Sequence, residues 1–144
     1  MKPRFETIMF LLLIGFLAAC SPTPAADGNL GQSVPVADSS YTDVSPAELQ
    51  QMLDAKDFVF VNVHIPDEGD IPGTDLSIPF DQIESNLDQL PANRDSKIVL
   101  YCRSDRMSRI AAETLVGLGF TNILNLDGGF NAWRSAGLPF DGGD

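Results

Sequence analysis

The residues best suited to chemistry are Cys102 and the arginines beside it, Arg103, Arg106 and Arg109, in the stretch KIVLYCRSDRMSR. A short apolar run, Ile98 to Tyr101, ends at the cysteine. After a polar loop, Met107, Ile110, Ala111, Thr114, Leu115 and Leu118 fall at helical spacing. The pattern predicts a buried strand, a tight loop and an amphipathic helix. A cysteine at such a junction sits at the carboxyl end of a strand, where open α/β sheets bind ligands. It also faces the first turn of a helix, whose N–H groups and positive dipole end stabilise an anion. A thiolate is an anion, so the setting favours Cys102 as a nucleophile. The plainer alternative is a buried structural cysteine, since unpaired cysteines pack as small apolar groups. Three of the chain's nine lysines and arginines lie within this loop and helix start, which points to anion binding. The alternative for all three is a solvated helix start, and for Arg109 taken by itself that account is enough.

The rest of the composition narrows the classes. A chain of 144 residues supports one domain with a real core. Its formal net charge of −11 argues against nucleic acid as a partner, because phosphate backbones need a basic face. Two cysteines, Cys20 and Cys102, give no disulfide framework. His64 is the only histidine and has no Cys/His cluster around it, so a structural or loop-lining role is expected and no metal site. Trp133 falls on the packing face of a short helix and reads as core.

The N-terminus reads as a targeting segment. Lys2 and Arg4 precede an apolar run from Ile8 to Ala18, then Ala19 and Cys20. That is a charged region, an apolar region of signal-peptide length and a small-residue processing site, too short for a spanning helix of about 20 residues. Leu17-Ala18-Ala19-Cys20 resembles the lipobox of bacterial lipoproteins. The resemblance implies cleavage after residue 19 and a diacylglyceryl group on the Cys20 sulfur; an ordinary secretory signal ending near a cysteine is the alternative. Cleavage removes Lys2, Arg4 and Glu6, one net positive charge, so the net charge goes from −11 to −12. Acyl chains on Cys20 would tether the protein to a membrane on its non-cytoplasmic side. Ser21 after that cysteine resembles the outer-membrane pattern of diderm bacteria. From residue 20 to 41 the chain is rich in Pro, Ser, Ala, Gly and Asp without periodicity, and reads as a flexible linker reaching about 25 Å.

The expected domain is 42–144. Ser45-Pro46-Ala47-Glu48 spells a helix start with a capping box, flanked by Val44 and Leu49 as a hydrophobic staple. Residues 58–63 read as a strand covered on both faces. Phe80, Ile83, Leu87 and Leu90 predict a short amphipathic helix. After the cysteine strand and its helix, Gly119 and Phe120 suggest a Schellman cap. Asn122–Leu126 reads as a third strand and Phe130–Ala136 as a last helix. Alternation of helix and strand predicts an α/β fold, a small parallel sheet with helices on both faces.

Three stretches together resemble a single-domain rhodanese, the sulfurtransferase module, over about residues 42–140. They are Val61-Asn62-Val63-His64 with Ile71-Pro72-Gly73 and Ile78-Pro79; Tyr101-Cys102-Arg103-Ser104 with Ser108; and Leu126-Asp127-Gly128-Gly129-Phe130 with Ala132-Trp133 and Ala136-Gly137-Leu138-Pro139. The resemblance implies that Cys102 takes a sulfane sulfur from a donor such as thiosulfate, holds it as a persulfide, and passes it to a thiol or other nucleophile. It implies no metal or organic cofactor. The loop of Arg103, Ser104, Asp105, Arg106, Met107 and Ser108 would receive the donor, amides converging on the sulfur and Arg103 or Arg106 holding the sulfonate. This chain departs from the family pattern in three places. Asp105 stands where Gly is common, and would set a carboxylate near an anionic donor. Met107 stands where Arg is common. Asn62 and His64 replace an Asp and an Arg, removing an expected internal ion pair. Weak activity towards thiosulfate is the expected consequence. A cysteine phosphatase or arsenate reductase would need Arg six positions after Cys102, and Ser108 is there. The alternative of a different class is a non-catalytic, membrane-tethered module that binds or senses sulfur species or docks a partner protein.

Overall fold

The computed structural model describes residues 30–143. The expected signal segment, the expected lipidation site Cys20 and the expected linker up to residue 29 lie outside the described residues. In chain order the elements are β1 (Gln32–Val36), β2 (Ser39–Val44), α1 (Pro46–Asp54), β3 (Val59–Asn62), β4 (Leu76–Ser77), β5 (Ile98–Tyr101), α2 (Arg106–Gly117), β6 (Ile123–Leu126) and α3 (Gly129–Ser135). They form one sheet in the order β1-β2-β6-β5-β3-β4. Every neighbouring pair is parallel except the hairpin β1–β2, so the expected parallel sheet is mixed at one edge.

The strands that carry the site are apolar because both their faces are covered. All four residues of β5 and of β6 are buried. Side-chain alternation splits them between two half-cores. On one face Ile98, Leu100 and Cys102 join Val61, Val63 and Ile123 under Ala111, Ala112 and Leu115 of α2. On the other, Val99 and Tyr101 join Phe60, Leu124 and Leu126 against Leu49 of α1 and Phe130 and Trp133 of α3. Cys102 thus continues the inward row of the central strand towards α2. Each fully buried Leu or Ile is worth about 1.5–3 kcal/mol, so the cysteine hangs from the best-anchored part of the sheet.

The local signals around α1 hold. The Ser45 hydroxyl accepts from the Glu48 N–H at 3.3 Å, the Glu48 carboxylate accepts from the Ser45 N–H at 2.8 Å, and Val44 and Leu49 are buried together. The Schellman cap is present at the end of α2: Phe120 N–H reaches the Leu115 carbonyl at 3.1 Å, Gly119 N–H the Val116 carbonyl at 3.0 Å, and Gly119 sits at φ +88°.

Two expectations are corrected. The linker expected up to residue 41 ends earlier, because residues 32–44 form the β1–β2 hairpin. Val34, Val36 and the buried Tyr41 pack on the α2 half-core, and tertiary burial gives this weakly apolar stretch its structure. The helix expected over residues 80–90 is two 3₁₀ segments, Phe80–Gln82 and Glu84–Gln89, with Asn86 outside helical dihedrals. The Asn86 side-chain amide donates to the Gln82 carbonyl at 2.8 Å, occupying the acceptor that its own backbone N–H would use in an α-helix. The burial of Ile83 and Leu90 is as expected.

Candidate functional site

Cys102 leaves the end of β5 and is 1 % exposed. Two donors address its sulfur. The Asp105 N–H donates to Sγ at 3.1 Å, and the Ser108 hydroxyl lies 3.4 Å from Sγ and 3.0 Å from the Asp105 carbonyl. A hydroxyl has one hydrogen, so Ser108 can serve the carbonyl beside a neutral thiol and turn to the sulfur when a thiolate forms. With the sulfur unmodified, one amide of the loop is on it.

The carbonyl side of the same loop is gripped by the first turn of α3. Phe130 N–H donates to the Cys102 carbonyl at 2.8 Å and Asn131 N–H to the Arg103 carbonyl at 3.0 Å. So close an approach leaves no room for a side chain: a Cβ at Gly129, which has φ +58°, would lie 2.2 Å from the Cys102 carbonyl oxygen. This contact explains Gly129; Gly128 before it sits at φ +74°, where a Cβ would lie 2.7 Å from that of Ala132.

Asp105 has φ +96° and ψ −36°, a conformation that suits glycine and costs another residue about 1–3 kcal/mol. Its carboxylate accepts from Asn125 Nδ2 at 2.7 Å and meets Arg109 Nε at 2.5 Å. Asn125 Nδ2 also reaches Asp43 Oδ1 at 2.8 Å, and Arg109 reaches Asp43 at 3.3 Å and Asp127 at 3.5 Å. Sheet register produces this row: Asp43 on β2 pairs with Asn125 on β6, and Asn125 is next to Leu100 on β5. Burial pushes the Asp105 carboxyl above the ordinary aspartate range, against the pull of Asn125 and Arg109. The expectation that this carboxylate faces an incoming donor is corrected, since it is turned to β6 and α2.

The remaining loop residues divide by exposure. Ser104 and Arg106 are exposed, Met107 is half-buried against the α2 half-core, and Ser108 is fully buried. Arg103 is exposed and pairs with Glu68 at 3.0 Å. Arg109 is engaged by three carboxylates, whereas among the described residues Arg103 has the one partner and Arg106 is exposed. Beside Arg103 lies an open cleft of about 570 Å³, bounded by Glu68, Gly69, Phe130 and Arg134.

The pair expected to be lost with Asn62 and His64 has substitutes. His64 Nε2 lies 2.6 Å from Glu68, which joins it to Arg103. The Asn62 amide donates to the Gly69 carbonyl at 3.1 Å and to Asp70 at 2.9 Å, and its oxygen accepts from the His64 N–H at 3.0 Å. The Tyr101 hydroxyl donates to Asp70 at 3.0 Å and accepts from the Ile71 N–H at 3.1 Å; burial pushes its phenol pKa up. The segment around residues 68–74 is therefore tied to β3 and β5 through the neutral side chains of Asn62 and Tyr101. His64 is a loop-lining residue as expected, its ring edge-on to Phe130. Among the described residues no cluster of His, Cys, Asp or Glu could hold a metal ion.

Sequence reasoning missed Asn125, Tyr101 and Glu68. Only Asn125 carried a signal, being the one polar side chain in the buried strand ILNL.

Comparison with known proteins agrees with this geometry. The family profile described as "Rhodanese-like domain" matches residues 45–136. A protein named "Sulfurtransferase" from Allochromatium vinosum is 37% identical over 93 residues, covering 62% of this chain and 84% of its own. A "Thiosulfate sulfurtransferase GlpE" from Pseudoalteromonas translucida is 30% identical over 104 residues, covering 67% of this chain and 92% of its own. A crystal structure of a rhodanese-related protein from Thermoplasma volcanium superposes with a TM-score of 0.59 at 28% identity, over 68% of this chain and 95% of that one.

Proposed function

Because this chain belongs to the rhodanese-like domain family, we propose that it is a sulfurtransferase that moves a sulfane sulfur from a donor such as thiosulfate to a thiol or other nucleophile through a Cys102 persulfide. The observation that carries the reading is the Asp105 amide directed at Sγ where β5 meets α2. In the first step the Cys102 thiolate attacks the outer sulfur of thiosulfate. One S–S bond forms, the S–SO₃ bond breaks, and sulfite leaves with its electron pair. The persulfide left on Cys102 is an anion, and N–H and O–H donors in a site closed to water stabilise it. In the second step an acceptor thiolate attacks that outer sulfur and Cys102 departs as a thiolate, as in thiol–disulfide exchange. Arg103 and Arg106, both exposed, would draw in the sulfonate, Arg103 by exchanging its partner Glu68 for it. Arg109 would not, given its carboxylate partners.

The 1 % exposure of Cys102 favours the second reading, a non-catalytic module that binds sulfur species or docks a partner. Intact mass after incubation with thiosulfate separates the two. Transfer predicts a gain of one sulfur atom that is lost on reduction and absent in Cys102→Ser. No adduct with thiosulfate or any other sulfane donor would overturn transfer and leave the binding module.

The proposed location is the cell envelope, lipid-anchored on the non-cytoplasmic side, and in the outer membrane if the host has two. What supports it is the sequence around Cys20 alone. The same intact mass, measured on full-length chain extracted from membranes, reads the lipid on Cys20, and an unlipidated chain ending its signal elsewhere would refute it.

A further inference from the structure

We propose that Asn125 and Arg109 act as positioning residues for the sulfur-binding amide, by holding the Asp105 carboxylate and through it the backbone conformation that aims the Asp105 N–H at Cys102. This deepens the sulfur-transfer reading and rests on it only for the use to which the sulfur anion is put.

The argument begins from a conflict at one residue. The N–H that reaches Sγ at 3.1 Å belongs to a residue at φ +96°, ψ −36°. Glycine holds that conformation without strain; an L-residue relaxes out of it unless neighbours over-determine it. Asp105 is the last residue before α2, and α2 has no side-chain cap there. The one group that could cap, the Asp105 carboxylate, is committed to Asn125 at 2.7 Å and to Arg109 at 2.5 Å. Both holders are fixed in turn. Asn125 is wholly buried on β6 and shares its amide with Asp43, and Arg109 also meets Asp43 and Asp127. The carbonyl of Asp105 is held as well, by the Arg109 N–H at 3.0 Å and the Ser108 hydroxyl at 3.0 Å. The chain from β2 through β6 to the loop is continuous. A side chain here does what the absence of one does in glycine, and it directs the amide to the sulfur.

A charge-assisted hydrogen bond from the amide favours an anionic sulfur, and its loss is expected to slow alkylation of that sulfur about tenfold at pH 7. The experiment is alkylation of Cys102 by iodoacetamide in the full chain carrying Cys20→Ser, which needs no sulfur donor. The ratio of the rate at pH 7 to the high-pH plateau reads how well the site supports the sulfur anion, and the plateau reads access. Asp105→Ala keeps a Cβ and loses the anchor, so the ratio falls about tenfold. Asp105→Gly loses the same carboxylate and charge but can take φ +96° unaided, so it recovers most of that loss. Asn125→Ala lowers the ratio in the Asp105 background and has no further effect in the Asp105→Gly background. Equal ratios for Asp105→Ala and Asp105→Gly overturn the proposal, and that comparison stands even if Asn125→Ala is too unstable to isolate. A chain that takes up no sulfur but shows the Ala/Gly difference loses the activity and keeps the positioning network.

Discussion

The two long helices begin in opposite ways. At α1 the chain satisfies its own first-turn amides: Ser45 and Glu48 exchange hydrogen bonds, Pro46 has no N–H to satisfy, and Val44 and Leu49 close the entry. At α2 nothing of the kind is present. The residue before the helix is strained, its carboxylate is spent on Asn125 and Arg109, and its amide points back at a sulfur. A helix start built for stability uses short side chains next to it in sequence. The start at Cys102 turns the Asp105 amide to the sulfur and takes its support from β2, β6 and α3, far away in the chain.

Breaking that distant support should therefore cost more than breaking the local cap. Gly129→Ala is the most severe single change expected, because the new Cβ would lie 2.2 Å from one backbone carbonyl and 2.6 Å from the Arg103 carbonyl carbon, neither of which can swing aside. Urea unfolding should show a loss of at least about 2 kcal/mol, from positive φ and the forced separation of α3 from the loop together. Sulfur uptake should fall with it. A variant with near-native stability would mean that the loop and α3 are not held in contact in solution.

At the other helix Ser45→Ala should cost about 1 kcal/mol, the usual worth of an N-cap. Persulfide formation should be unaffected, since Ser45 touches nothing in the loop. If uptake dropped as steeply as in Gly129→Ala, the contrast between a stabilising and a functional helix start would fail.

The same contrast explains what could be read from residues alone. Ser45-Pro46-Ala47-Glu48 and Gly119-Phe120 are readable because the groups that satisfy each other lie within five positions. The strand before Cys102 and the helix after it are readable because burial imposes a period on each. Asn125 reaches Asp105 across 20 positions and Asp43 across 82, and such a bond leaves no local trace beyond one polar residue in an apolar strand. The hairpin at residues 32–44 escaped for a related reason. Its turn, Ala37-Asp38, holds Ala37 at φ +50° without glycine or asparagine, and its valines gain their burial from α2. Replacement of Asp and Arg by Asn62 and His64 read as loss because Asp70 and Glu68 were not visible as their new partners.

The smallest effect, and the one that sets the two starts most directly against each other, is in the acid dependence of stability. The Ser45 N–H and hydroxyl hold the Glu48 carboxyl below the ordinary glutamate range. The unfolded chain therefore binds the proton first, and the stability Glu48 contributes is full above about pH 4.3 and is lost as pH falls through its folded value. Asp105 has the opposite sign. Burial holds its carboxyl above the ordinary range, so its contribution is full below about pH 3.9 and is lost as pH rises through the folded value. Glu48→Gln retains a capping-box acceptor and Asp105→Asn an acceptor for Asn125 while losing the pair with Arg109, so the slope with pH and not the absolute stability reads the titration. Urea unfolding across pH 3 to 6 should show a less positive slope of stability with pH in Glu48→Gln and a more positive one in Asp105→Asn. Both changes should be a few tenths of a kcal/mol after solvent screening. Slopes moving in the same direction would show that the two carboxyls do not titrate as their surroundings require.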